Sequence, residues 1–335
     1  MTRQGTISGG CASGTILYMG PGGRNGRIAA VVGNTSGKLW QKPSRECVRR
    51  TPSVDAGTRL RWHHDAVTHA PQHRLQVVAH RGASEDAPEH TLAAYKKAIE
   101  DGADALECDV RLTADGHLVC VHDRRVNRTS NGRGAVSALE LADLAALDFG
   151  SWKNRDESPD WDDEAGGRTD TSVLTLERLL ELIADAGRRV ELAIETKHPT
   201  RWAGQVEERL LMLLKRFGLD APESAAESPV RIMSFSARSL QRVRAASPIL
   251  PTVYLLQFVS PRLRDGRLPA GVRIAGPSLR IVRSNPAYVA RLKRMGHQVH
   301  VWTVNEPEDV DLCVDLRVDA IITNRPRAVL HQLGR

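Results

Sequence analysis

Two hydrophobic periods alternate along the chain from residue 75 to its end. Short apolar, β-rich runs recur: LQVVAH (75–80), ALECDV (105–110), LVCVHD (118–123), VELAIETK (190–197), RIMSF (231–235), TVYLLQF (252–258), RIAGPSL (273–279), QVHVWTV (298–304) and AIIT (320–323). Between most of them lie segments of helical period, such as TLAAYKKAIEDG, TLERLLELIADAG, WAGQVEERLLMLLKRFG, SARSLQRVRAAS, NPAYVARLKRMG, PEDVDLCVDL and RAVLHQLG. Strand–helix alternation predicts a parallel sheet with both faces covered. One pair breaks the rule. Only seven residues separate 105–110 from 118–123, too few for a parallel crossover. The intervening Asp115-Gly116 is a hairpin-turn signal, so LVCVHD should run back antiparallel to its predecessor. Eight parallel strands then remain, in about 260 residues, which matches an eight-stranded parallel (β/α)8 TIM barrel. Residues 111–172, rich in Gly, Asp, Arg and Trp, become an insertion after the second strand. A doubly wound open sheet is the competing fold, but no glycine-rich dinucleotide fingerprint follows any strand.

Residues 1–74 have a different texture. The stretches GTISGGCASG, MGPGGRNGR and GNTSGK are Gly- and Ser-rich with no sustained period, too poor in apolar surface to offset the entropy of ordering. This segment is expected to be a disordered extension. It carries eleven Lys or Arg against three acids, leaving 36 basic and 37 acidic residues in the remainder. The formal charge of +7 therefore belongs to the extension, and the barrel segment is nearly neutral. A basic arm for nucleic acid or anionic lipid is the alternative role for the extension, weakened by the lack of aromatics interleaved with its charges. The run Ile28–Val32 is short for a secretory core and thinly flanked by Arg24 and Arg27. No apolar run approaches the ~18 residues of a membrane-spanning helix. Five cysteines (Cys11, Cys47, Cys108, Cys120, Cys313) show no paired metal spacing, which favours free thiols, a reducing compartment and a cytoplasmic location.

Barrel chemistry belongs at the carboxyl ends of strands, and polar residues gather there. His80-Arg81-Gly82 closes the first strand, Glu107 and Asp109 the second, His122-Asp123 the hairpin strand, and Glu195 and Lys197 the third barrel strand. Glu107 and Asp109, two apart, share a face; with Glu195 they bring three carboxylates to one mouth. Like charges at close range force at least one to protonate. A divalent cation resolves that conflict, and all-oxygen ligation selects Mg2+ or Ca2+. Alternatively the acids are surface residues, or pair with Lys197 and Arg81. Two histidines titrating near neutrality and a planar Arg fork for phosphate oxygens complete a set suited to metal-assisted displacement at phosphorus.

The stretch HRGASEDAPEHTLAAYKKAIEDGADALECDVRLTADGHLVCVHD closely resembles the glycerophosphodiester phosphodiesterase family, and LDFGSWK, IETK, SF (234–235), VWTVN (301–305) and DAIITNRP (319–326) follow the family's later landmarks in order. The resemblance spans about 75–335. It implies a phospholipase-C-like phosphodiesterase barrel that hydrolyses glycerophosphodiesters, small molecules, to an alcohol and glycerol 3-phosphate. Matched position by position, it implies Glu107, Asp109 and Glu195 as ligands of one divalent cation and His80 and His122 as the general acid–base pair. It further implies Arg81 and Lys197 on the phosphoryl group, Glu89 in the substrate mouth and Trp302 on the alcohol side. The sequence departs from the family at Pro88-Glu89-His90-Thr91, where His90 replaces an asparagine. Thr91 remains a helix cap. Cys108 should face away from the cation by strand alternation. If His122 shares the face of Glu107 and Asp109, Cys120 shares it as well, and a Cys108–Cys120 disulfide is disfavoured.

The nearest rival activity is lysophospholipase D-like or phospholipase C-like cleavage of a lipid with the same head group. A catalytically silent barrel serving as a binding module is the rival of another class.

Overall fold

A computed structural model describes residues 74–153, 170–197 and 204–335. The expectations for the N-terminal extension, including Cys11 and Cys47, lie outside these residues, as does part of the insertion.

Among the described residues there are nine strands: β1 (Gln76–His80), β2 (Ala105–Leu112), β3 (Leu118–Cys120), β4 (Glu191–Thr196), β5 (Val230–Ser234), β6 (Thr252–Leu256), β7 (Ile274–Pro277), β8 (Gln298–Trp302) and β9 (Ala320–Thr323). All neighbours pair in parallel except β2 and β3, which pair antiparallel. Because β1 bonds both β2 and β9, the sheet closes on itself. Closure excludes the doubly wound alternative and makes the architecture a parallel eight-stranded barrel with β3 attached outside.

The helices are α1 (Leu92–Glu100), α2 (Leu141–Ala145), α3 (Leu176–Ala184), α4 (Gln205–Arg216), α5 (Ala237–Ala246), α6 (Leu279–Ser284), α7 (Ala287–Arg294), α8 (Pro307–Asp315) and α9 (Pro326–Gln332). Thr91 caps α1 by accepting from Ala94 N–H at 3.2 Å, as its position predicts; Thr175 and Ser236 do the same for α3 and α5. The six-residue α6 and five-residue α2 escape the sequence pattern because neither completes two helical turns.

Strand alternation divides the core. One set of side chains, including Leu106, Cys108, Val110, Leu192, Ile194 and Ile232, packs outward against the helices; another, including Val78, Ala105, Ala193, Met233 and Ile322, fills the barrel interior. Glu107, Asp109 and Glu195 share the parity of the inner set, and Cys108 turns outward. The expectation for Cys120 fails. Cys120 stands opposite Val110 in the β2–β3 ladder, so it shares the outward face with Cys108. β3 ends at Cys120, and His122 lies beyond the ladder, where strand parity no longer applies. Both cysteines are nevertheless free and buried. Among the described residues no helix is long and apolar enough to cross a membrane.

The turn after β1 demands a particular backbone. Arg81 and Gly82 both take positive φ, +60° and +85°. A Cβ on Gly82 would come within 2.6 Å of the Ala94 carbonyl carbon in α1. Gly82→Ala is therefore expected to destabilise the barrel by about 2–4 kcal/mol through combined strain and overpacking, measurable by urea denaturation.

Candidate active site

Glu107 and Asp109 leave β2 into the barrel mouth, and β4 aligns Glu195 directly beside Asp109 in register. The three are 2%, 1% and 7% exposed, so the surface alternative does not hold. One ligand atom from each lies within 4.8 Å of the others. The other alternative, pairing with the neighbouring cations, is partly realised. Lys197 Nζ reaches Asp109 Oδ1 at 2.9 Å and Glu195 Oε1 at 2.8 Å. Arg81 Nε lies 3.1 Å from Asp109 Oδ2, and Arg81 backbone N–H donates to Glu107 Oε2 at 3.0 Å.

These cations do not satisfy all three acids equally. Burial pushes Asp109 up, but Lys197, His90 and Arg81 together hold it well below the usual carboxylate range. Glu107 is driven well above that range by burial and by Asp109. Glu195 is raised to about 8 by burial and by Asp109, against the pull of Lys197. At neutral pH the protein alone thus holds one ionised carboxylate and two that resist ionisation. Such a donor set fits a hard divalent cation, whose charge would let the remaining oxygens ionise. Glu107, Asp109 and Glu195 would hold it.

The two histidines occupy contrasting settings. His80, the last residue of β1, directs Nδ1 to Asn324 Oδ1 at 2.7 Å. Burial and then Arg81 push its pKa down to about 3, despite Asp109 and the Asn324 bond. An amide oxygen can only accept, so Nδ1 carries the ring proton and Nε2 keeps a lone pair. His122 directs Nδ1 to Asp123 Oδ1 at 2.7 Å. Asp123, depressed to about 2 against its own burial by bonds from Arg128 and His122, is an ionised acceptor. Burial lowers the His122 pKa, with Lys197 and Arg81 adding to it, while Asp109 and Asp123 favour the charged ring.

A cavity of about 240 Å³ opens on these groups, lined on one side by His80, Arg81, Glu107, His122, Glu195 and Lys197. Its other side is largely apolar: Met233, Phe235, Leu255, Trp302 and Ile322, with Gln257. Trp302 Nε1–H donates to Gly276 O at 2.6 Å, and its ring meets Phe235 edge-on with centroids 5.5 Å apart.

Glu89 and Asp109 do not reach the cavity wall. Glu89 sits beside the mouth with its carboxylate taken by Arg81 and Arg128. His90, also at positive φ (+61°), is buried with Nε2 2.9 Å from Asp109 Oδ2 and Nδ1 2.9 Å from the Tyr95 hydroxyl. The imidazole thus does support work behind the acidic pair that the sequence departure left open. Phe235, Gln257, Asn324 and Arg128 receive no role from the sequence, although Phe235 and Asn324 fall within the landmarks SF and DAIITNRP. The first three stand just beyond strand ends on inward parity, a signal available once each strand is placed. Arg128 lies in the insertion, where no strand period points to it.

Comparison with known proteins gives a consistent picture. Residues 80–328 match the model of the glycerophosphoryl diester phosphodiesterase family. The protein named probable glycerophosphodiester phosphodiesterase 1 of Mycobacterium tuberculosis is 48% identical over 250 residues, 75% of this chain and 89% of that one. A glycerophosphodiester phosphodiesterase of Bacillus subtilis is 35% identical over 257 residues, 76% of this chain and 84% of that one. Among solved structures, a putative glycerophosphoryl diester phosphodiesterase from Silicibacter pomeroyi superposes with a TM-score of 0.64 at 26% identity, covering 82% of this chain and 97% of that one. An Oleispira antarctica phosphodiesterase, solved in complex with the product sn-glycerol-3-phosphate, shares the fold at a TM-score of 0.61 and 24% identity, covering 78% of this chain and 97% of that one. By family match, identity and fold, the chain belongs to the glycerophosphoryl diester phosphodiesterase family.

Proposed function

We propose that this phosphodiesterase hydrolyses small glycerophosphodiesters to an alcohol and glycerol 3-phosphate, with Mg2+ or Ca2+ held by Glu107, Asp109 and Glu195. One observation carries the reading: two acids of a buried carboxylate triad, Glu107 and Glu195, line one cavity with two histidines of opposite environment, and Asp109 stands behind them within 4.8 Å. A bound cation would supply charge to neutralise and orient the phosphoryl oxygens. Arg81 and Lys197 add fixed positive charge on the same side. His80, with Nδ1 occupied by Asn324, offers Nε2 to remove the proton of the attacking group, either water or a glycerol hydroxyl whose cyclic phosphate a water molecule then opens to glycerol 3-phosphate. Burial is the larger cause of the His80 depression, and an anionic phosphoryl group beside Arg81 would offset the smaller part that comes from the Arg81 charge, raising the basicity of the ring. His122, whose charged form Asp123 supports, gives its Nε2 proton to the departing alkoxide as the phosphorus–oxygen bond breaks. The free, buried thiols Cys108, Cys120 and Cys313 are in keeping with a cytoplasmic setting.

A second reading, a lysophospholipase D-like or phospholipase C-like activity on a lipid with the same head group, is favoured by the apolar wall of the cavity. Phe235 there is 41% exposed, and Phe258, adjacent to Gln257, is 72% exposed. A matrix of substrates against metals separates the two. Glycerophosphocholine should turn over with Mg2+ or Ca2+, lose turnover in EDTA, and exceed lysophosphatidylcholine in kcat/KM. The reverse preference would install the lipid reading; turnover indifferent to EDTA would defeat both.

A further inference from the structure

Arg128 sits outside the cavity, 43% exposed, yet its guanidinium binds two carboxylates at the mouth through three hydrogen bonds. Its Nη1 and Nη2 donate to the two oxygens of Glu89 at 2.8 and 2.7 Å, and its Nε donates to Asp123 Oδ2 at 2.7 Å. The guanidinium also lies 5.9 Å from the Trp152 ring centroid. Each carboxylate it binds passes the contact inward. Asp123 turns its other oxygen to His122 Nδ1 at 2.7 Å, and Glu89 Oε1 accepts from Arg81 Nη1 at 3.1 Å. One side chain thus links the loop that carries His122 to the turn that carries Arg81.

From this geometry we propose that Arg128 is a positioning residue for the hydrolysis: it locks His122 through Asp123 and keeps Arg81 turned to the phosphoryl group through Glu89. The proposal rests on the roles given above to His122 and Arg81. Two physical consequences follow. An Asp123 carboxylate free to rotate no longer selects the Nδ1–H tautomer, and His122 then presents its proton-transfer nitrogen for only part of the time. A Glu89 without Arg128 directs both oxygens at Arg81 and competes with substrate for its charge. The Arg128–Asp123 pair, 43% and 32% exposed, contributes roughly 0–1 kcal/mol to stability, and Glu89, 11% exposed, keeps its bond to Arg81 when Arg128 is removed, so folding alone gives this arrangement little purpose. A lysine cannot replace it, because one ammonium cannot serve three oxygens on two carboxylates in fixed planes.

The test uses the full chain with Mg2+ or Ca2+ and glycerophosphocholine, comparing Arg128→Ala, Arg128→Lys, Asp123→Asn and the Asp123→Asn/Arg128→Ala double variant. Arg128→Ala should lower kcat about 10–100-fold with its melting temperature near the parent's, and Arg128→Lys should recover little of the loss. The double variant should lose much less than the product of the two single losses, because both act through His122. Histidine-ring 15N NMR, recorded where His122 is neutral, should show the Nδ1–H tautomer in the parent and a mixture in Arg128→Ala. An unchanged kcat, multiplicative losses, or a retained Nδ1–H tautomer in Arg128→Ala would each overturn the proposal. A parent inactive on glycerophosphocholine would count against the substrate reading alone, and the ring spectrum would still decide the role of Arg128.

Discussion

Glu195→Gln should abolish most turnover while making the metal-free protein more stable. The loss of activity, about 10²–10³-fold on the scale of removing one transition-state electrostatic contact, follows from weakening the cation site and the orientation of Lys197. The gain in stability follows from proton linkage. Glu195 titrates at about 8 in the folded chain against an ordinary 4.5, so between those values the folded state binds more protons than the unfolded state. Metal-free stability must then fall as pH rises from 4.5 to about 8, and the penalty from this one group amounts to about 3 kcal/mol at pH 7. Glu107, displaced in the same direction, adds to that slope. Glutamine removes the Glu195 share. In EDTA, the variant should therefore melt above the parent at pH 8 and much closer to it at pH 5. Saturating Mg2+ or Ca2+ should flatten the parent's pH dependence without helping the variant comparably. A metal-free parent whose melting temperature is constant or rising from pH 5 to 8 would show that the acids do not compete as described.

The second large effect separates the histidines by leaving group. His122→Ala and His80→Ala should each lower glycerophosphocholine turnover by about 10²–10⁴-fold, the usual contribution of a positioned acid or base. With a 4-nitrophenyl ester of glycerol phosphate the two should diverge. Nitrophenolate departs without needing a proton, so His122→Ala should recover most of the parent rate. His80→Ala should stay impaired, because the attacking water or glycerol hydroxyl still needs its proton removed. Recovery by His80→Ala in place of His122→Ala would reverse the acid and base assignments. The expectation follows from the difference in environment: His80 bonds a neutral amide oxygen, whereas His122 bonds a carboxylate.

Much of this was open to inspection in the amino-acid sequence, because the relevant physics is local. Apolar period and the seven-residue gap before LVCVHD determined the strand set, the antiparallel hairpin and the barrel count. Two-residue spacing put Glu107 and Asp109 on one face, and the position of Thr91 before an apolar helical run marked the α1 cap.

What required tertiary structure was whatever depends on register or on contacts between distant segments. Cys120 reached the outward face because it stands opposite Val110, and the alternation assumed from His122 stopped applying where the ladder ended. Glu89 was assignable to the mouth by its motif, yet only the approach of Arg128, 39 residues away, turns its carboxylate to an ion pair beside the cavity. Likewise Asn324 meets His80 across 244 residues because β9 closes the barrel against β1. Residue types and short spacings therefore determined which chemistry was present. Closure of the sheet decided which partner each group faced, and so which acids resist ionisation and how the two histidines differ: pairwise electrostatics depends on distance in space, which sequence separation does not encode.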